Sequence, residues 1–77
     1  MEKLLLIYNP NSGTRKSARY LSDVSEIFTS HSFLVTALPT LKRGDATDYV
    51  KRFGPDYNFV VVMGGDGTYN EVVSGYV

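Results

Sequence analysis

A chain of 77 residues has room for one small domain, and at that size only about 60% of the unfolded surface is buried on folding. Eight Lys and Arg side chains balance eight Asp and Glu, and neither sign collects beyond pairs such as Arg15-Lys16 and Lys42-Arg43, which excludes the basic stripe expected of a nucleic-acid partner. Cysteine is absent, so disulfides and thiolate metal sites are excluded as well.

The chain starts "MEKLLLIYNP", too short for a signal peptide and without its small-residue cleavage pattern, and no apolar run approaches the roughly 20 residues of a membrane span. A cytoplasmic chain is expected. Residues 3–8, "KLLLIY", form a continuous apolar run that ends at Asn9-Pro10, the mark of a strand buried on both faces. From about 14 to 29, Ala18, Leu21, Val24, Ile27 and Phe28 recur at helical spacing, so one face of a helix packs inward. "SFLVTAL" (32–38) is a second strand, stopped by Pro39. "DATDYVKRF" (45–53) carries Ala46, Tyr49, Val50 and Phe53 on one helical stripe and closes at Gly54-Pro55. "YNFVVVM" (57–63) is a third strand, and a third helix begins near Thr68. His31, alone of its kind, sits at a strand entrance and reads as surface filler.

Alternation of strand and helix at this spacing implies right-handed crossovers and a parallel sheet covered on both faces. The expected fold is α/β, a three-layer α/β/α unit with strand order 2-1-3. In open sheets of this kind ligands sit outside the carboxyl ends of the strands, where the strand order reverses. Two glycine-bearing loops leave such ends: "NPNSG" (9–13) after the first strand and "GGDGT" (64–68) after the third. With order 2-1-3 both line one crevice.

Each loop admits a plainer reading. Asn, Pro, Ser and Gly form turns, and Asn11 or Ser12 could cap the following helix. Thr68 and Glu71 have the spacing of a capping box. The glycines nevertheless exceed what a cap requires, and close approach of backbone amides to an anion at a helix N-terminus accounts for them better. No Walker-type loop occurs, and Gly65-Asp66-Gly67 gives only the front of a dinucleotide fingerprint, with Asn70 where its last glycine belongs. Asp66 would repel a bare pyrophosphate. A carboxylate inside a phosphate-binding turn suits phosphoryl transfer, where Mg2+ is held and a nucleophile oriented.

"NPNSG", "GGDGTYNEVV" and, between them, Thr40 with Gly44-Asp45-Ala46 resemble the three markers of the diacylglycerol kinase catalytic domain, in a superfamily that includes soluble bacterial lipid kinases, sphingosine kinases and ceramide kinases. The resemblance runs from Asn9 to Gly75. It implies an ATP- and Mg2+-dependent lipid kinase of phospholipid metabolism, with ATP in a cleft of the α/β domain and the lipid hydroxyl, such as that of diacylglycerol, presented from a larger β-rich domain. Asn9, Ser12 and Gly13 match the first marker and Thr40 the second. A plain turn at Pro39-Thr40 remains open. Gly64, Gly65, Gly67 and Thr68 match the phosphate-cradling turn, Asp66 its catalytic carboxylate and metal holder, directly or through water, and Asn70 and Glu71 the residues after it. Peripheral membrane contact follows from a lipid substrate, although no basic amphipathic helix here supplies it.

The ending "NEVVSGYV" reads as a helix still apolar and uncapped. Residues 1–77 are therefore expected to be the N-terminal portion of the kinase domain, with the β-rich domain missing and no activity alone. Two other readings stay open: a kinase of a soluble substrate such as NAD, which shares GGDGT, and an inactive nucleotide-binding fragment.

Overall fold

In the computed structural model residues 1–10 and 16–76 are described, residues 16–19 and 66 by their backbone alone. Strand and helix alternate as β1 (Glu2–Tyr8), α1 (Lys16–Ser30), β2 (Phe33–Pro39), α2 (Asp45–Phe53), a 3-10 turn (Gly54–Asp56), β3 (Phe59–Met63) and α3 (Asp66–Gly75). Among the described residues the strands make one parallel sheet in the order β2-β1-β3. The register runs from Glu2 opposite Phe33 to Tyr8 opposite Pro39 on one side of β1. On the other side it runs from Leu4 opposite Phe59 to Tyr8 opposite Met63.

The central place of β1 explains its unbroken apolar run. A strand paired on both edges and covered on both faces has no polar side to show, so alternation disappears. Leu4, Leu5, Leu6 and Ile7 are all at most 1% exposed. Successive side chains point to opposite faces, and each face finds its own helices. Leu5 and Ile7 pack with Ala46 and Val50 of α2 and Val72 of α3. On the face of Leu4, Phe28 of α1 meets Phe33 edge-on at 5.8 Å, and Phe33 meets Phe59 at 5.5 Å. The order 2-1-3 makes the two crossovers run in opposite directions, so right-handed connections put α1 and α2 on opposite faces.

Several boundaries differ from the sequence reading, each for a local reason. The first helix is described from Lys16, and the expected start at 14 lies outside the described residues. β2 extends through Pro39, which pairs at the last position of the ladder with Tyr8 and offers its carbonyl to the Tyr49 hydroxyl at 2.7 Å. β3 starts at Phe59 rather than 57, because Asn58 acts as an anchor beside β1: its amide donates to the Lys3 carbonyl and its Oδ1 accepts from the Lys3 amide, both at 2.8 Å. The valines of β3 are only half-buried, as fits a strand at the sheet's edge. His31 is exposed in the turn after α1, where Ser32 takes φ 69°.

The difference with the most bearing on the site concerns α3. It begins at Asp66, with Gly65 in extended backbone at the N-cap, and the Tyr69 amide already donates to the Gly65 carbonyl at 3.2 Å. Thr68 therefore stands inside the first turn and does not cap it. The capping-box alternative for Thr68 and Glu71 falls with that boundary.

Candidate functional site

The carboxyl ends of the three strands are stitched to one another one residue beyond the ladder. The Asn9 amide donates to the Met63 carbonyl at 3.0 Å, and the Thr40 amide to the Tyr8 carbonyl at 2.8 Å. The Thr40 hydroxyl donates to the same Tyr8 carbonyl at 3.3 Å. Asn9 and Thr40 thus form the floor of a cleft fixed to the sheet. Thr40 is buried, as is Thr68 of α3.

Gly64 shows why the chain has no side chain where β3 gives way to α3. A Cβ there would stand 3.0 Å from the Thr68 Oγ1, 3.1 Å from its Cβ and 3.4 Å from the Asn9 Cβ. Glycine lets α3 start tight against the end of β1. Gly65 and Gly67 are different: a Cβ on either meets nothing within 4 Å. Packing of the described residues does not require glycine at those two positions.

Opposite α3 runs the turn from Leu41 to Gly44. The Asp45 carboxylate, in the first turn of α2, accepts from the Leu41 amide at 2.8 Å and the Lys42 amide at 3.0 Å. Gly44 turns with φ 94°, a backbone conformation that favours glycine. Its amide donates to Glu71 Oε1 at 2.7 Å. One helix turn on, the Thr47 hydroxyl donates to the Glu71 carbonyl at 2.7 Å. Glu71 of α3 therefore bonds both to α2 and to the turn before it, beside the apolar packing of Ala46 and Val50 on Val72.

Between these parts lies a cleft of about 250 Å³, with Asn9 and Thr40 at the floor, residues 41–43 on one wall, and Gly67, Thr68 and Glu71 on the other. Its electrostatics are lopsided. Lys42 and Arg43 are exposed at the lip, and among the described residues the ion pair is Arg52 with Asp48, farther along α2. On the other wall the first turn of α3 offers amides that Gly65, lacking a side chain, cannot satisfy, and helix N-termini of this sort favour anions. The cleft thus brings two exposed cations and a helix N-terminus to one space, with the Glu71 carboxylate on its wall.

Of the residues singled out from the sequence, Asn9, Thr40, Gly67, Thr68 and Glu71 come together in this cleft. Gly64 and Gly65 shape its edge without lining it, and Asn70 is exposed on α3 outside it. Ser12 and Gly13 lie outside the described residues, as does the side chain of Asp66. Leu41, Lys42 and Arg43 were missed as cleft residues. Their signal was the pairing of two cations with a glycine that precedes a helix, read only as a charge pair.

A parallel α/β unit with order 2-1-3 carries its polar cleft at the strand ends, the place where open sheets of this class take their ligands. The family model of the diacylglycerol kinase catalytic domain matches residues 3–77, and the chain belongs to that family. It is 45% identical to the diacylglycerol kinase of Staphylococcus carnosus over 71 residues, 91% of this chain and 23% of that protein. With the diacylglycerol kinase of Bacillus subtilis it shares 34% identity over 76 residues, 97% of this chain and 25% of the relative. The crystal structure of a diacylglycerol kinase from Bacillus anthracis superposes with a TM-score of 0.85 at 35% identity, covering 96% of this chain and 27% of that one. The chain thus spans about a quarter of the length of the relatives it matches. No described helix is long and apolar enough to cross a membrane.

Proposed function

We propose that this chain is the nucleotide-binding portion of an ATP- and Mg2+-dependent lipid kinase that phosphorylates the hydroxyl of diacylglycerol or a similar lipid, and that a β-rich domain outside these residues completes the enzyme. The observation that carries it is the cleft in which the amides of α3's first turn stand across from Lys42 and Arg43. A triphosphate is the anion that such an arrangement suits. The cleft's volume of about 250 Å³ is just under the roughly 300 to 1,000 Å³ usual for small-molecule sites, as expected of a site completed by further residues. The soluble-substrate alternative loses weight because the match extends through residues 3–77 and not only the GGDGT turn.

In this reading the residues divide the work of phosphoryl transfer, which is chiefly positioning and charge stabilisation. Asn9, Ser12, Gly13 and Thr40 seat the nucleotide at the strand ends. Gly64, Gly65, Gly67 and Thr68 form the turn whose amides take the phosphates, with Asn70 and Glu71 behind it. Among the described residues no three acidic or imidazole side chains cluster as a metal cage, and one oxygen of Glu71 is already taken by Gly44. Mg2+ requires no such cage, since it binds through one or two carboxylates with water and substrate phosphates. Asp66, directly or through water, is the residue that would hold it. When bound, the ion offsets charge on the transferring phosphoryl group. Asp66 also orients the attacking lipid hydroxyl.

The test is transfer of labelled phosphate from ATP to diacylglycerol in mixed micelles. The full-length enzyme should transfer it only with Mg2+, and residues 1–77 alone should not. Phosphorylation of NAD in place of lipid would overturn the assignment.

A further inference from the structure

The carboxylate of Glu71 is engaged by the main chain, not aimed freely into the cleft. Its Oε1 accepts from the Gly44 amide at 2.7 Å, across 27 positions of sequence. The cation-bearing turn has two other moorings. Thr40, at its start, is bonded to the Tyr8 carbonyl, and the Asp45 carboxylate gathers the Leu41 and Lys42 amides. Both moorings fix the turn to the sheet or to its own helix. Among the described residues, Glu71 is the side chain that fixes it to α3.

That difference matters for a ligand held from both walls. A polyphosphate spanning the cleft needs Lys42 and Arg43 at a set distance from the amides of Gly67 and Thr68. A hydrogen bond to a carboxylate is short and strong for its kind, and this one ties the turn to α3 directly, where the Thr47 bond and the apolar packing act through α2. We propose that Glu71 is a positioning residue for the phosphates of the nucleotide, acting through the Gly44 amide to hold the Lys42-Arg43 turn over the cleft. The proposal rests on the kinase reading above, and assigns Glu71 neither a metal nor a proton to carry.

Three variants separate this role from a direct one. Glu71→Gln keeps an oxygen of the same reach and loses the charge. Glu71→Asp keeps the charge and draws the carboxylate back by one methylene. Glu71→Ala loses both. In steady-state kinetics of the full-length enzyme with ATP varied, the loss of a hydrogen bond to a charged group should raise the KM for ATP about tenfold in the Asp and Ala variants. The Gln variant should stay within about threefold of the parent, kcat should change little in all three, and the KM for lipid should not move. Replacing Lys42 and Arg43 by alanine should cost much less in the Glu71→Asp background than in the parent, because the two changes damage one device.

Full additivity, an unchanged KM, or an Asp variant better than the Gln variant would overturn the proposal. The Asp and Gln comparison decides the matter even where Glu71→Ala fails to fold. A parent that turns over no ATP would sink the kinase reading itself. An active parent with the wrong variant order would sink only the role of Glu71.

Discussion

Asp66 is the first residue of α3, and Gly65 before it supplies backbone but no side chain. As the first helical residue after the N-cap Gly65, Asp66 gains only about 0.3 to 1 kcal/mol from its charge at the helix N-terminus, so a purely structural Asp66 should largely tolerate Asp66→Asn. In the proposed enzyme the same change removes a charge that transition-state stabilisation uses, and turnover should fall by about a hundredfold or more, near 3 kcal/mol. ATP affinity and melting temperature should barely move. Turnover within a few-fold of the parent would leave Asp66 as a turn residue. Gly65 and Gly67 sharpen the same question, because a Cβ on either meets no atom within 4 Å. Gly65→Ala and Gly67→Val should therefore fold nearly as well as the parent, while the added carbon stands where a phosphate would approach the amides. Calorimetric titration with ATP and Mg2+ beside a melting curve checks this: affinity should drop about tenfold or more with a small change in melting temperature.

Among the elements, the packing of α2 on α3 governs the shape of the cleft, and it depends on Gly75. A Cβ there would lie 2.8 Å from the Val50 Cβ and 3.1 Å from the Thr47 carbonyl oxygen. Backbone cannot yield as a side-chain tip does, so Gly75→Val should cost about 1 to 3 kcal/mol, read as a lower urea midpoint. Gly67→Ala, facing open space, serves as the control. How far such features could be read from sequence depended on how local their cause is. The strand order and the meeting of Asn9 with the turn after β3 were legible in the hydrophobic runs and the crossover rules. The role of Glu71 was not, since a spacing of three residues from Thr68 serves a cap as well as a long-range bond, and only the start of α3 at Asp66 decides between them. Lys42 and Arg43 escaped because their role needs α3 opposite, and Gly75 because its neighbour Val50 lies in another helix. The Ser12 and Gly13 loop lies outside the described residues.

As a whole the molecule is a slab, 31 by 31 by 15 Å with a radius of gyration of 11.9 Å, close to the roughly 11.5 Å expected of a compact chain of this length. Its core is correspondingly thin. Tyr69 and Val73 of α3 and Tyr76 just after it stand 60%, 45% and 62% exposed, apolar area that contributes nothing to holding residues 1–77 together. The segment alone should be marginally stable, since burial at this size barely offsets chain entropy. A thermal melt of residues 1–77 should show a low, shallow transition, and a sharp one above the usual mesophile range would contradict this.

The amides of Asn9 and Thr40, bonded to Met63 and Tyr8, belong to the sheet as much as to the cleft. Hydrogen isotope exchange would then sort the site into two tiers. Those two amides can open only when the sheet separates, and should keep their protons nearly as long as the middle of β1. The exposed Gly44 amide, held by the one carboxylate of Glu71, should surrender its proton through small local openings. A ligand arriving from solvent meets a floor as durable as the core and a wall that breathes, so nucleotide should slow exchange at Gly44 far more than at Asn9 or Thr40.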